Sequence, residues 1–361
     1  VEKDKPQPKP EPEPEPEPQP SGPGTLEFSM LTSEDGDEVS GYYRIFQLGE
    51  DGTKTGDKLA EGHGPFELEP GGYFVEASWN RFGVINARTT EVVEVEPGQS
   101  QTVEIVVGAG LLEPTMLASE GGEQVQGHYA VYEADTDLQG KRKKLTEGAG
   151  PFQLKAGDYF LRGSWNRFGV INARTTAEAS VTAGQSTAVE MVVNAGVLKL
   201  SMVAAEGGEE IDGYYRLYEA AQDLSGKRAK LAEGADTEYK LKQGEYLVVG
   251  SWGRYNDTIR VSRQVDVQAG QASSLELVAN AGMLALSALD ADEEPAAAEY
   301  EIRKAEKNLS GEHELVTSGD GPQFKLPEGE YLVTAASGES SAQTEVAITA
   351  GKRSEVTLTL D

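Results

Sequence analysis

The sequence predicts an all-β protein, four tandem seven-stranded antiparallel β-sandwich domains behind an extended proline-rich tail, and three observations carry that prediction. The chain repeats itself: Ala-Gly recurs at 109–110, 195–196 and 281–282, and the tyrosine of a G-[GDE]-Y turn falls at Tyr73, Tyr159, Tyr246 and Tyr331. Between turns, apolar and polar residues alternate with period two, and no segment shows an amphipathic helical stripe of ten or more residues. The composition, 38% hydrophobic and 7% aromatic with 42 glycines in 361 residues, suits turn-rich β structure with modest cores better than large α/β enzymes.

Taken in order, residues 1–24 hold nine of the 17 prolines, mostly alternating with Glu, Gln or Lys. Proline removes backbone donors and fixes φ, so this tract is expected to be a solvated polyproline-II-like linker. At about 3.1 Å per residue it could span roughly 60 Å, enough to hold a folded part away from a membrane or a preceding domain. Four repeats follow, at 25–110, 111–196, 197–282 and 283–361. Their junctions are only an Ala-Gly pair, so neighbouring repeats should touch and form a stiff row.

The third repeat shows the strand pattern well: Leu198, Leu200 and Met202 alternate with Lys199 and Ser201. Then come "GYYRLYEA", "KRAKLAEG", "TEYKLKQ", "GEYLVVGSW", "TIRVSRQVDV" and "SSLELVANAG", which makes seven strands. Seven short strands with frequent turns point to a sandwich of immunoglobulin or transthyretin type. The closing strand recurs in each repeat, through Val103, Ile105 and Val107, then Val189, Met191 and Val193, then Leu275, Leu277 and Ala279, then Val356, Leu358 and Leu360. It ends one residue before Asp361, so the fourth repeat is expected to be complete.

Charge restricts the partners. With 61 acidic and 32 basic residues the formal net charge is −29, which disfavours nucleic acid and a bare anionic membrane. No run of 18 apolar residues offers a membrane span, so no direct membrane insertion is expected, and the first residues lack a signal peptide's apolar core. Any targeting segment of an exported protein is expected to have been removed. Cysteine is absent, which excludes disulfides, thiolate metal sites and a cysteine nucleophile. Acidic character, no cysteine and a proline-rich entry together favour a periplasmic or cell-surface location in a bacterium.

Several stretches carry a family likeness: "YEADTDLQGKRKKLTEGAGPFQLKAGDYFL", "YEAAQDLSGKRAKLAEG", "GPQFKLPEGEYLVTAASG" and "AGQSTAVEMVVNAGVLKLS". They resemble the tandem β-sandwich repeats that follow the von Willebrand factor A domain in exported bacterial proteins. More distantly, "LPEGEYLVTA" is similar to strands of carboxypeptidase-regulatory-like and Cna-B-type modules. The likeness covers roughly 25–361 through turns and core strands. The A domain itself is missing, since no Asp-x-Ser-x-Ser motif occurs, so its metal-dependent adhesion is not carried over. The resemblance implies an exported, non-catalytic array.

Catalytic chemistry lacks its parts. His63, His128 and His313 sit at non-equivalent places in three repeats, and no Gly-x-Ser-x-Gly elbow, His-Glu-x-x-His or Walker loop occurs. No cofactor is expected. The acidic clusters at 33–38, 205–210 and 290–294 recur in the turn after the first strand and read as solvated loops. Weak calcium binding is the rival, although neither these turns nor "DTDLQG" at 135–140 has a full EF-type ligand ladder. Cna-B-type modules can carry a Lys–Asn isopeptide bond, and the third repeat alone has Lys199 and Asn280 suitably placed along its sequence. A stray pair is the preferred reading.

One segment stands apart. "SWNRFGVINARTT" occupies 78–90 and recurs letter for letter at 164–176, while "EVVEVEPG" after the first copy has become "AEASVTAG" after the second. Recent duplication would preserve the flanks equally well. Counting back along the preceding strand, Tyr73, Val75, Ala77 and Trp79 share a face, as do Tyr159, Leu161, Gly163 and Trp165, and Tyr246, Val248, Gly250 and Trp252. The tryptophans are therefore expected to point towards the core. Each tryptophan opens a W-x-R-[FY] motif, and the candidate ligand-binding residues are Trp79, Asn80, Arg81 and Phe82, Trp165, Asn166, Arg167 and Phe168, and Trp252, Arg254 and Tyr255. An arginine beside an aromatic ring suits a sugar face, a peptide or a carboxylate. Three copies would give a multivalent row for a polysaccharide or protein ligand. The alternative is a passive spacer or assembly subunit, whose loops pack domain against domain. The fourth repeat has Ser337 at the tryptophan position and lacks the device.

Overall fold

The computed structural model describes residues 21–80, 87–167, 171–254 and 259–361, and among these every helix or strand is a strand. Two compact units divide the chain. The first holds the residues up to Glu113 with Ala130–Leu161 and Glu178–Val189; the second holds Pro114–Tyr129, Arg162–Ala177 and Glu190–Asp361.

The fold is a tandem series of β-sandwiches. In the third repeat the seven expected strands are Ala195–Val203, Gly213–Gln222, Arg228–Gly234, Glu238–Lys242, Gly244–Trp252, Arg260–Val267 and Ala272–Val278. One sheet has the opening strand Ala195–Val203 between Glu238–Lys242 and the closing strand Ala272–Val278. The other runs in the order Arg228–Gly234, Gly213–Gln222, Gly244–Trp252, Arg260–Val267. The other repeats keep this order and add a two-residue strand, Glu38–Val39, Gln124–Val125 or Pro295–Ala296, beside the opening strand. In the third repeat a single bridge, Val203 to Glu210, stands in its place.

Most pairings are antiparallel, as expected, with one addition. The opening and closing strands pair in parallel, Thr25 to Leu31 with Ser100 to Val106 in the first repeat, and likewise in the third and fourth. A parallel pair needs a long crossover. Here the intervening strands supply it.

The cores follow from alternation. In the third repeat Leu198, Leu200 and Met202 of the opening strand meet Tyr246, Val248 and Trp252, with Tyr215, Leu217 and Leu277, all buried. Gly213 makes room for this core: a methyl group there would overlap the hydroxyl of Tyr215, two residues on. The recurrent turn tyrosine also has a bond to make. Its hydroxyl donates to the carbonyl four residues earlier, Tyr73 to Glu69 and Tyr159 to Lys155 at 2.7 Å, Tyr246 to Lys242 and Tyr331 to Pro327 at 2.8 Å. A buried phenol thereby keeps its polar end satisfied while its ring fills the core.

Each Ala-Gly pair begins an opening strand, and its alanine is fully buried. The residue before it, Gly108, Asn194 or Asn280, has φ of 62°, 49° or 47°, a left-handed turn that glycine and asparagine tolerate. Backbone bonds then fix the alanine on both sides. Ala109 N donates to Thr32 O and its own carbonyl accepts from Gly184 N; Ala195 bonds Ala118 and Gly270, and Ala281 bonds Ala204 and Gly351, in the same way.

Candidate functional site

The repeated segment begins where a strand ends. Ser78, Ser164 and Ser251 close the strands Gly71–Trp79, Gly157–Trp165 and Gly244–Trp252, each one residue before its tryptophan. Each serine hydroxyl lies 3.0 to 3.2 Å from the carbonyl two residues on, Asn80, Asn166 or Gly253. Those three residues have φ of 69°, 69° and 90°. The left-handed backbone favours Asn or Gly there. Asn80 and Asn166, candidates for ligand contact, thus have a backbone reason for their identity. Their amides are used as well: Asn80 N donates to Ser40 O and Asn166 N to Gln126 O. The far end of each copy returns to the strand, because Trp79 N donates to Ala87 O and Trp165 N to Ala173 O, both at 3.0 Å.

The tryptophans face inward to different depths. Trp252 is 8% exposed and belongs to the core of its repeat. Trp79 is half-buried against the core of the first repeat, and Trp165 is also half-buried.

From there the segment reaches into the next repeat. In the first unit, with the Gln153 amide oriented to satisfy both groups, Trp79 Nε1 donates to Gln153 Oε1 at 3.3 Å, and Gln153 Nε2 donates to Trp79 O at 3.1 Å. In the second unit, Asn172 of the second copy bridges to the third repeat: Lys242 N donates to its Oδ1 at 2.8 Å, and its Nδ2 donates to the Tyr246 hydroxyl at 3.1 Å. That hydroxyl in turn donates to Lys242 O, so a closed ring of three hydrogen bonds ties the segment to the tyrosine turn. Beside it Ile171 N donates to Lys240 O at 3.4 Å, and the Ile171 side chain packs on the third repeat's core. Further along, Lys325 Nζ of the fourth repeat lies 5.1 Å from the centre of the Trp252 ring. Gln153, Lys240 and Lys325 are the same place in their repeats, the second residue of an [FY]-x-L strand end. Asn172 is not among the sequence candidates; its signal is that the identity of the two copies continues past W-x-R-[FY] into "INARTT".

The arginines behave otherwise. Arg167 is exposed, and its backbone N donates to Asn166 Oδ1 at 2.7 Å. Arg254 is exposed too, its guanidinium 5.7 Å from the ring centre of Tyr214 in its own repeat. Arg81, Phe82, Phe168 and Tyr255 lie outside the described residues.

Other candidate chemistry is absorbed by turns. Asp137 Oδ1 accepts from Gln139 N and Lys141 N, Asp223 Oδ1 from Ser225 N and Lys227 N, and Asn308 Oδ1 from Ser310 N and Glu312 N. An asparagine serves as well as an aspartate, so the turn needs an acceptor and no charge. The Ser225 hydroxyl, followed by those backbone groups, holds the Asp223 carboxyl below its usual range. Asp290 Oδ1 caps its acidic turn likewise. Among the described residues no group of three or more His, Asp or Glu side chains is placed to hold a metal ion. Lys199 and Asn280 are both exposed, and Asn280 supplies the left-handed junction residue.

No family model and no curated protein matches the chain. Among solved structures it is similar to the TIE protein of Bacillus anthracis, at 13% identity and a TM-score of 0.20, covering 96% of this chain and 76% of that one. It is also similar to a streptococcal ancillary pilin, at 12% identity and a TM-score of 0.25, covering 70% of this chain and 99% of that one. A third match is BcpA, the major pilin subunit of Bacillus cereus, at 11% identity and a TM-score of 0.19, with 70% and 99% covered. TM-scores this low carry nothing about function to the present chain.

Proposed function

We propose that the chain is a non-catalytic, extracytoplasmic repeat array with a structural role, a spacer or assembly subunit, in which the S-W-[NG] segment couples one repeat to the next. The observation that carries this reading is the Asn172 ring, which commits both polar ends of one side chain to the tyrosine turn of the following repeat. A loop kept for an outside ligand would leave such groups available. Location outside the cytoplasm is supported by the acidic, cysteine-free composition and the proline-rich entry. Among the described residues no helix is long and apolar enough to cross a membrane.

The test is ¹⁵N relaxation on the intact chain and on Asn172→Ala. Residues 197–252 and residues 171–177 should share one rotational correlation time in the wild type and separate in the variant. Independent tumbling in the wild type, or no change in the variant, would remove the coupling role.

A second reading, ligand binding by the W-x-R-[FY] loops, is supported by the exposure of Arg167 and Arg254. Its test is glycan-array binding by the wild type beside an Arg81/Arg167/Arg254 triple alanine variant. Loss of binding in the variant supports it; unchanged binding removes it.

A further inference from the structure

We propose a second binding site, beside the coupling segment and sharing Ser78 with it, in a cavity of about 360 Å³ in the first unit that takes an anionic sugar, a carboxylated saccharide unit. The wall comes from three neighbouring strands. Tyr42 pairs with Ser78 and Ser78 with Arg88; one row on, Arg44 pairs with Glu76 and Glu76 with Thr90. Side chains two apart on a strand share a face, so these six groups form a grid of two rows on one side of the sheet. Lys155, at the end of the strand Phe152–Lys155 in the second repeat, completes the lining.

The charge of this lining runs against the rest of the molecule. Three cations, Arg44, Arg88 and Lys155, stand against one carboxylate, Glu76, in a chain of net charge −29. Glu76 is itself paired with a further cation, Lys54, at 2.5 Å. Arg44 is bridged to Glu61 at 3.7 Å, but that carboxylate lies closer to Lys58, at 2.7 Å. The excess is positive, and an arginine's planar fork suits a carboxylate. On the same face the Ser78 and Thr90 hydroxyls and the Tyr42 ring supply what a sugar's hydroxyls and its apolar face require. The volume lies at the lower end of the usual range for small-molecule sites, about 300–1,000 Å³.

The fourth repeat is an internal control. Strand pairing sets Glu299, Ala336 and Ser341 where the first repeat has Tyr42, Ser78 and Arg88, and Glu301, Thr334 and Gln343 where it has Arg44, Glu76 and Thr90. Those six positions carry two acids and no cation, and the nearest arginine on that face, Arg303, is paired with Glu301 at 3.0 Å. Cationic lining is therefore no general feature of the fold, although the third repeat shares it, with Tyr214, Ser251 and Arg260 in one row and Arg216, Val249 and Ser262 in the other.

Calorimetric titration of the intact chain tests the site with three probes, a uronic-acid disaccharide, its neutral counterpart with reduced carboxyls, and an acidic peptide of equal charge. The uronate should bind, weaken as salt rises, and lose at least tenfold in affinity in Arg88→Ala and in Lys155→Ala, both with wild-type circular dichroism. The neutral disaccharide should fail to bind. No uronate binding at millimolar concentration, equal binding of the neutral sugar, or affinity untouched by both substitutions would overturn the site. Tighter binding of the peptide would overturn its assignment to a sugar.

Discussion

At position 239 the third repeat has a tyrosine where the others have Phe66, Phe152 and Phe324. The extra hydroxyl finds no place. Tyr239 is 3% exposed, and its hydroxyl is a buried side-chain polar atom with no hydrogen-bond partner among the described residues. Burial, with Asp236 adding to it, pushes this phenol up to about 12. A buried polar group left unpaired costs about 1–3 kcal/mol, while the ring alone fits the site in three other repeats. Tyr239→Phe should therefore raise the stability of the chain by about 1 kcal/mol, read as a higher urea midpoint at unchanged slope. A lowered midpoint would show that the hydroxyl has a partner after all. The contrast with Tyr246 is instructive, because there the hydroxyl both donates to Lys242 O and accepts from Asn172 Nδ2.

The strand Gly244–Trp252 shows how much of an element can be read ahead. Alternation counted from Tyr246 puts Val248, Gly250 and Trp252 on one face, and all four are buried in the structure. Period two suffices for that, since facing is a local property of the pleat. Two features are not legible in this way. The parallel pairing of opening and closing strands joins residues such as Leu200 and Leu275, far apart in the chain, and no local pattern states which edge a strand takes. Asn172 meets Lys242 and Tyr246 across 70 and 74 residues, so its role emerges only from the fold. Conversely, Asn80 and Asn166 read as ligand groups in the sequence because a left-handed backbone leaves no mark in hydrophobic periodicity; the mark is the Gly253 that replaces them in the third repeat. Burial also ranks the tryptophans. Trp252→Ala removes a core side chain and should cost about 3–5 kcal/mol, more than Trp79→Ala, whose indole is half-buried. Denaturation of both variants, followed by circular dichroism, checks the order, and a larger loss at Trp79 would mean that its bonds to Gln153 outweigh packing.

For the whole molecule, the balance between local ion pairs and overall repulsion fixes the response to salt. Lys143 and Glu133, Lys230 and Glu233, and Lys304 and Glu314 form pairs at 2.9, 2.8 and 2.6 Å, all well exposed. Such surface pairs contribute about 0–1 kcal/mol each and weaken when screened. Against them stand 61 acids for 32 bases, a net charge of −29 whose self-repulsion folding increases by bringing the charges closer together. The screening length falls from about 30 Å at 0.01 M salt to about 8 Å at 0.15 M. Repulsion is spread over separations in that interval, whereas a pair held at under 3 Å is hardly reached by the change. Screening should therefore remove more repulsion than attraction, and the urea midpoint should rise between 0.01 and 0.15 M sodium chloride. If it falls, the ion pairs outweigh the net charge. The same series separates this general effect from the proposed sugar site, because salt should strengthen the fold while it weakens uronate binding at Arg88 and Lys155.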